Sequence, residues 1–343
     1  MPTLTDTAAF SKKASKWVVL GLAFLLVFII FLILGRSIKI SLTPAKLQPA
    51  TVAFGKLPRF DLSIGEKPPA NVSYKLETVS GELPQLPTFA KVFTIADFES
   101  SFGDLERTKA KALRIGFTQE PVEVSLGIAK FVDPQREDKV LKIETASENF
   151  ILNSNYLNNP EILTKRAGSV DSAKSAASVF FKEFDLDIGA FPEKDIETRK
   201  LKIETGGLRE TLALSDANLI EVIFRRSDFD KLPVLSAQAE KPQVWALVSQ
   251  GKIVAASLNI ANIQKFKFAT YPLKDIRKAF EDLQAQRAAF NKKMPEGEIV
   301  IKEITLGYIE SEKENHFLQP VYLFRGSDNL TIYVGALDDL WIE

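Results

Sequence analysis

The sequence contains no cysteine. That absence removes disulfides, thiolate zinc sites, iron–sulfur clusters and cysteine nucleophiles together. An exported form would be held by core burial alone, which a large domain can manage. Histidine is almost missing too. His316 is the only one, so a histidine-based metal cluster cannot form. Basic blocks are also lacking: 44 Lys and Arg face 44 Asp and Glu, with no run of five or six like charges. Nucleic acid is therefore not expected as a partner.

Catalytic signatures are equally scarce. Neither G-x-x-x-x-G-K-[ST] nor G-x-G-x-x-G occurs, and there is no G-x-S-x-G elbow. "SQGK" at 249–252 matches S-x-x-K. That motif belongs at a helix start, whereas here it spans an expected hairpin turn between apolar strands, with no S-D-N or K-T-G. "DLDIGAFPEKDIE" at 185–197 gathers acids near a glycine. It lacks calcium-loop spacing, because Ile188 occupies a ligand position. No catalytic, cofactor-binding or metal residue is assigned. Glycosylation sequons stand at 71–73 and 329–331.

What the sequence does have is one long apolar run, "WVVLGLAFLLVFIIFLILG", residues 17–35. As a helix at about 1.5 Å per residue it matches a hydrocarbon core of ~30 Å, and it shows no polar face. Trp17 sits at one end, where an amphipathic ring suits the interface. The run exceeds a signal-peptide core, and no A-x-A site follows. An uncleaved transmembrane helix is expected, with residues 1–16 as a cytoplasmic tail and the rest of the chain extracytoplasmic. The lipid bilayer is then the first partner, through residues 17–35.

The remainder reads as α+β: antiparallel β-sheets, each packed with a helix. Residues 36–50 form a stalk, 51–165 a first β-rich domain and 166–343 a second, with a boundary where "NYLNNPEILTKRAGSV" loses periodicity. Seven prolines within 41–88 exclude long helices there, and "TVAFG", "FDLSI" and "NVSYKLETV" suit short strands. Three helices are expected. In "TIADFESSFGDLERTKAKAL", Thr94 and Asp97 have capping-box spacing and Phe98, Phe102 and Leu105 share a face. In "DSAKSAASVFFKEF", Asp171 caps a stripe of Ala173, Ala177, Phe180 and Phe184. In "YPLKDIRKAFEDLQAQRAAF", Pro272 opens a helix carrying Ile276, Phe280, Leu283 and Phe290.

Strands follow each helix. "VEVSLGIAKF" and "KVLKIET" come after the first, and "RKLKIET", "NLIEVIF" and a hairpin turning at Gln250-Gly251 after the second. "EIVIKEITLGYIE", "FLQPVYLF" and "LTIYVGAL" end the chain. The pentapeptide "LKIET" recurs at 141–145 and 201–205, a hint of duplication. His316 falls at the edge of a charged turn, and Pro320 suits an edge strand or bulge.

The run "YPLKDIRKAFEDLQ… GEIVIKEITLGYIESEKENHFLQPVYLFRG", within residues 270–337, resembles the end of bacterial membrane-anchored accessory proteins of the YycH/YycI type. The resemblance implies one N-terminal span, PepSY-like helix-plus-sheet units outside the cell and a sensor kinase as partner. It carries no site residues, and the proline-rich 41–88 region departs from the family pattern. The expected function is a non-enzymatic, single-pass binding or regulatory protein acting on another envelope protein. The alternatives are a glycan- or peptide-processing enzyme using a carboxylate pair, and a structural scaffold of a cell-envelope complex.

Overall fold

The structure, a computed structural model, describes residues 50–187, 189–236, 242–310 and 316–343. The tail at 1–16, the span at 17–35 and nearly all of the stalk lie outside the described residues. No helix among the described residues is long and apolar enough to cross a membrane.

In chain order the strands begin with β1 (Val72–Leu76) and β2 (Phe89–Ala96), followed by helix α1 (Asp104–Arg114). Next come β3 (Glu123–Ser125), β4 (Ile128–Asp133), β5 (Arg136–Glu144) and β6 (Phe150–Asn153). Helices α2 (Pro160–Thr164) and α3 (Val170–Lys182) lead into β7 (Ile196–Glu204), β8 (Gly207–Glu210) and β9 (Leu219–Phe224). After these lie β10 (Val234–Ser236), β11 (Val244–Ser249), β12 (Lys252–Leu258) and β13 (Asn262–Pro272). Helix α4 (Ile276–Gln284) precedes β14 (Ala289–Phe290), β15 (Gly297–Glu310), β16 (Phe317–Leu318), β17 (Pro320–Gly326) and β18 (Thr331–Gly335).

A nine-stranded antiparallel sheet, β3-β4-β5-β6-β12-β11-β9-β7-β8, carries α1 and α3 on one face. A six-stranded sheet, β1-β15-β17-β18-β14 with β10 also on β15, carries α4, and β13-β2-β16 form a third, smaller sheet. The α+β class holds. The expectation of purely antiparallel sheets does not, because β1 and β10 both run parallel to β15. Each reaches it through a connection long enough for a parallel crossover.

The expected boundary at 165 is corrected. β6 pairs with β12 across it, Ala256 opposite Leu152, while β2 pairs with β13 and β1 with β15. Residues 50–343 form one compact unit, in which 104–258 is an insertion between segments that pair with each other. The loss of periodicity around 155–168 marks α2 and a 3₁₀ turn, not a linker.

The two "LKIET" copies are not structural equivalents. Leu141 and Ile143 point into the core beneath α1 and α3. Leu201 and Ile203 point to the opposite face, against Ile162, Leu219 and Leu247. With a side-chain period of two, that difference places the copies in opposite phase relative to the sheet.

Helix ends also moved. Thr94 lies inside β2, paired with Gln264 and Phe317, and α1 starts only after Gly103. The β-branched and aromatic run Val92-Phe93-Thr94-Ile95 favours the strand, which leaves Phe98 and Phe102 exposed rather than in a stripe. Ser169, not Asp171, caps α3: its Oγ accepts from Ser172 N at 3.1 Å. Ser169→Ala should therefore lower stability by about 1 kcal/mol in chemical denaturation. Pro272 closes β13, and Asp275 caps α4 by accepting from Arg277 N at 2.8 Å. Phe290 is buried in β14 rather than in a helix. Of the proline-rich segments, only "NVSYKLETV" contains a strand, β1, while Leu62–Ile64 form a 3₁₀ turn.

Gly307 shows why the Leu-Gly-Tyr step suits β15. A Cβ there would stand 2.6 Å from Leu323 Cδ1 and 3.0 Å from Pro233 O. Its absence lets β10 approach closely enough for Tyr308 N to donate to Pro233 O at 2.8 Å.

Candidate binding cleft

The seam of the nine-stranded sheet is incomplete. β6 pairs with β5 only at 140–143 and with β12 only at 256–258. Beyond Asn153 the chain leaves the sheet, and Ser154 Oγ donates to Val254 O at 2.7 Å as it does so. The first residues of β5 and of β12 therefore continue with no strand between them. A cleft of about 850 Å³ opens there, walled by the β11–β12 turn, α2, the outer side of α3 and the last turn of α1.

Its lining is rich in cations: Arg114, Arg136, Lys139, Lys165 and Lys252 face Glu161 and Glu183. Three are already committed. Arg114 pairs with Asp185 at 3.3 Å, Arg136 with Asp138 at 3.1 Å and Lys139 with Asp133 at 3.2 Å. The Arg136 guanidinium holds the Asp138 carboxyl below its ordinary range, against a contrary push from burial. Burial alone would raise Asp133, but the Gln135 amide and Lys139 outweigh it and lower the pKa. Lys165 and Lys252 have no ion-pair partner among the described residues. Val179, Phe180 and Ile253 supply an apolar wall. Such a cleft can take an acidic, partly apolar segment.

A second cleft, of about 890 Å³, lies between β7–β9 and β17–β18. Its charges are largely satisfied internally, by Arg225–Glu197 at 2.6 Å, Arg325–Glu303 at 3.2 Å and Lys292 Nζ donating to Asp328 O. It offers less unbalanced charge.

The buried ionisable groups are held in pins between elements. Arg226 and Glu310 join the end of β9 to the end of β15, with Nε to Oε2 at 2.8 Å. Burial pushes the Glu310 carboxyl up, although Arg226 and the Ala261 amide pull it down. Lys274 and Arg287 meet Asp282 of α4 at 2.7 and 2.6 Å. Burial would raise Asp282, but these two cations outweigh it and keep the carboxyl below its ordinary range. Lys111 ties α1 to Glu148, to the Phe184 carbonyl at 3.2 Å and to Asp185 at 3.2 Å.

The residues weighed from sequence are scattered. His316 is exposed beside β16, and its carbonyl accepts from Ile95 N at 2.8 Å. The "SQGK" segment is the expected hairpin, Ser249 opposite Lys252. Gln250 and Gly251 both adopt positive φ, 48° and 75°, as a type I′ turn demands. Ser249 is buried and donates to Asn218 O at 3.2 Å. Pro320 is the first residue of β17, where its missing N–H costs no ladder bond. The cleft itself had no sequence signal, since its cations come from α1, β5, the segment after α2 and β12.

No protein-family model matches the sequence, and no curated protein matches it either. Among solved structures, an uncharacterised protein from Eubacterium rectale ATCC 33656 is similar at 13% identity, with a TM-score of 0.39. The match covers 74% of this chain and 79% of that one. The Bacillus megaterium YpeB C-terminal domain is similar at 12% identity and a TM-score of 0.35, covering 71% of this chain and 96% of that domain. Likenesses of this size carry no assignment of family or function.

Proposed function

We propose that the chain is a single-pass envelope protein with its N-terminus in the cytoplasm. Its extracytoplasmic body, residues 50–343, is a non-enzymatic binding and regulatory module. Residues 17–35 tether it to the bilayer, and the seam cleft receives an acidic segment of an envelope protein. The observation that carries this reading is the cleft's excess of cations, with Lys165 and Lys252 lacking an ion-pair partner among the described residues, in a chain of zero formal net charge. Regulation would follow from binding one conformation of the partner better than another. The resemblance of residues 270–337 to YycH/YycI-type proteins adds a sensor kinase as the partner class to look for.

The test is crosslinking in intact membranes through a photoreactive residue at Gln250, read by mass spectrometry. A specific acidic envelope protein should be recovered. Lys165→Glu with Lys252→Glu should cut that recovery by about tenfold or more, because two charge-assisted contacts become repulsions. Unchanged recovery in the double variant overturns the cleft assignment.

A further inference from the structure

Strand β13 breaks its pairing with β2 between Gln264 and Phe268. The sequence across that break is Lys265-Phe266-Lys267-Phe268, and all four residues are exposed. Phe266 is 97% exposed, so the bulge presents a large apolar ring to the outside between two lysines. A ring on a β-strand normally packs against a neighbour. This one has been turned away from the sheet by the irregular register.

The surroundings keep the patch cationic and firm. Lys91, from the facing strand, lies over the Phe268 ring at 4.5 Å and pairs with Asp230 at 3.0 Å. Lys265 Nζ lies 5.3 Å from the Phe229 ring centroid. Phe229 is buried and meets Phe93 edge-on at 5.3 Å. The bulge therefore stands on a packed aromatic base rather than on a loose loop.

Its position along the chain is informative. Thr51 and Val52 are zipped onto the same strand: Thr51 N donates to Thr270 Oγ1 at 2.9 Å and Val52 N to Thr270 O at 3.0 Å. The chain thus joins the body four residues from Phe266, roughly 13 Å along a strand. Only the fifteen residues 36–50 separate Thr51 from the apolar run at 17–35. Fully extended they reach at most about 50 Å.

We propose that the Lys265–Phe268 bulge is a second membrane contact, which rests on the anionic headgroups of the bilayer that holds residues 17–35. Phe266 enters the acyl boundary while Lys265 and Lys267 meet lipid phosphates. The contact rests on the reading of 17–35 as a span, and it fixes which side of the body faces the membrane.

The absence of native cysteine makes the test direct. Full-length protein carrying Phe266→Cys with an apolar fluorophore is reconstituted into vesicles whose lipids bear brominated acyl chains. One vesicle set is phosphatidylcholine alone, and the other contains phosphatidylglycerol. Quenching at 266 should be at least twofold stronger on the anionic vesicles and should fall with added salt. A label at Leu126→Cys, on the tip of the β3–β4 turn, should remain unquenched. Lys265→Glu or Lys267→Glu should each weaken the contact roughly fivefold. Flotation of the same samples separates the two readings. Protein that floats with the vesicles but shows no lipid-dependent quenching at 266 overturns the bulge contact alone. Protein that fails to float overturns the span, and the bulge contact with it.

Discussion

Arg226→Met is expected to destabilise residues 50–343 by about 3–5 kcal/mol, the penalty for leaving a buried charge without its partner. Glu310 is 2% exposed. Its Oε1 accepts from Ala261 N at 2.6 Å and from Arg226 Nη2 at 3.0 Å, while its backbone carbonyl accepts from Gln243 at 3.1 Å. Arg226 in turn lies over the Phe191 ring at 5.0 Å. The pair joins β9, the β12–β13 link and β15, so both large sheets feel its loss. Arg226→Met combined with Glu310→Gln should recover most of the deficit, since the amide keeps an acceptor for Ala261 without a charge to bury. Denaturant titration of the four corners of this cycle measures it. A single variant as stable as the parent would show that water reaches the site.

The same pair gives a pH dependence of definite sign. Burial raises the folded-state pKa of Glu310. A raised carboxyl contributes stability that is complete below its unfolded pKa and lost as pH rises through the folded value. Removing Arg226 enlarges the upward displacement. The Arg226→Met deficit should therefore be largest on the alkaline side and shrink as pH falls, as Glu310 takes up a proton in the folded protein. Asp282 works the other way. Its lowered carboxyl contributes stability above the ordinary carboxylate pKa, and that stability is lost as pH falls through the folded value.

Phe150→Ala is the second large effect, at about 3–5 kcal/mol. Phe150 stands on β6 opposite Ile143 of β5 and Leu258 of β12, at the seam of the nine-stranded sheet. Its ring stacks on Phe184 at 4.0 Å and meets Phe180 and Phe181 at 5.9 and 6.0 Å. Truncation would empty the contact between α3 and the seam, where strands from both sides of residue 165 meet. Phe150→Leu should recover more than half of that loss, and the exposed Leu126→Ala should change stability by less than about 0.5 kcal/mol. Because the seam strands are shared, urea unfolding of Phe150→Ala should shift as one transition. Two separated transitions would restore the idea of independent halves.

Much of the fold was legible locally. Apolar, β-branched runs such as "NLIEVIF" and "LTIYVGAL" became strands β9 and β18, because β-branched and aromatic side chains bias the backbone within a few residues. The Gln250-Gly251 turn was likewise readable, since positive φ restricts the residues that can form it. Helix starts were less legible. Thr94 and Asp97 have the spacing of a cap, yet Thr94 is drawn into a strand by partners about 170 and 220 residues away. The seam cleft was not legible at all. Arg114, Arg136, Lys139, Lys165 and Lys252 are spread over nearly 140 positions, and no spacing rule connects them.

Composition and local pattern by themselves determined an α+β body free of thiol chemistry, where most of its strands run, and one apolar run long enough to span a bilayer. Those properties depend on side-chain chemistry and short-range sterics, which adjacent residues share. Tertiary structure alone decided that 104–258 is inserted between pairing segments, that β1 and β10 run parallel to β15, and that Glu310 meets Arg226 in the interior. Those outcomes depend on which surfaces are buried together, a free energy that belongs to pairs of residues far apart in the chain.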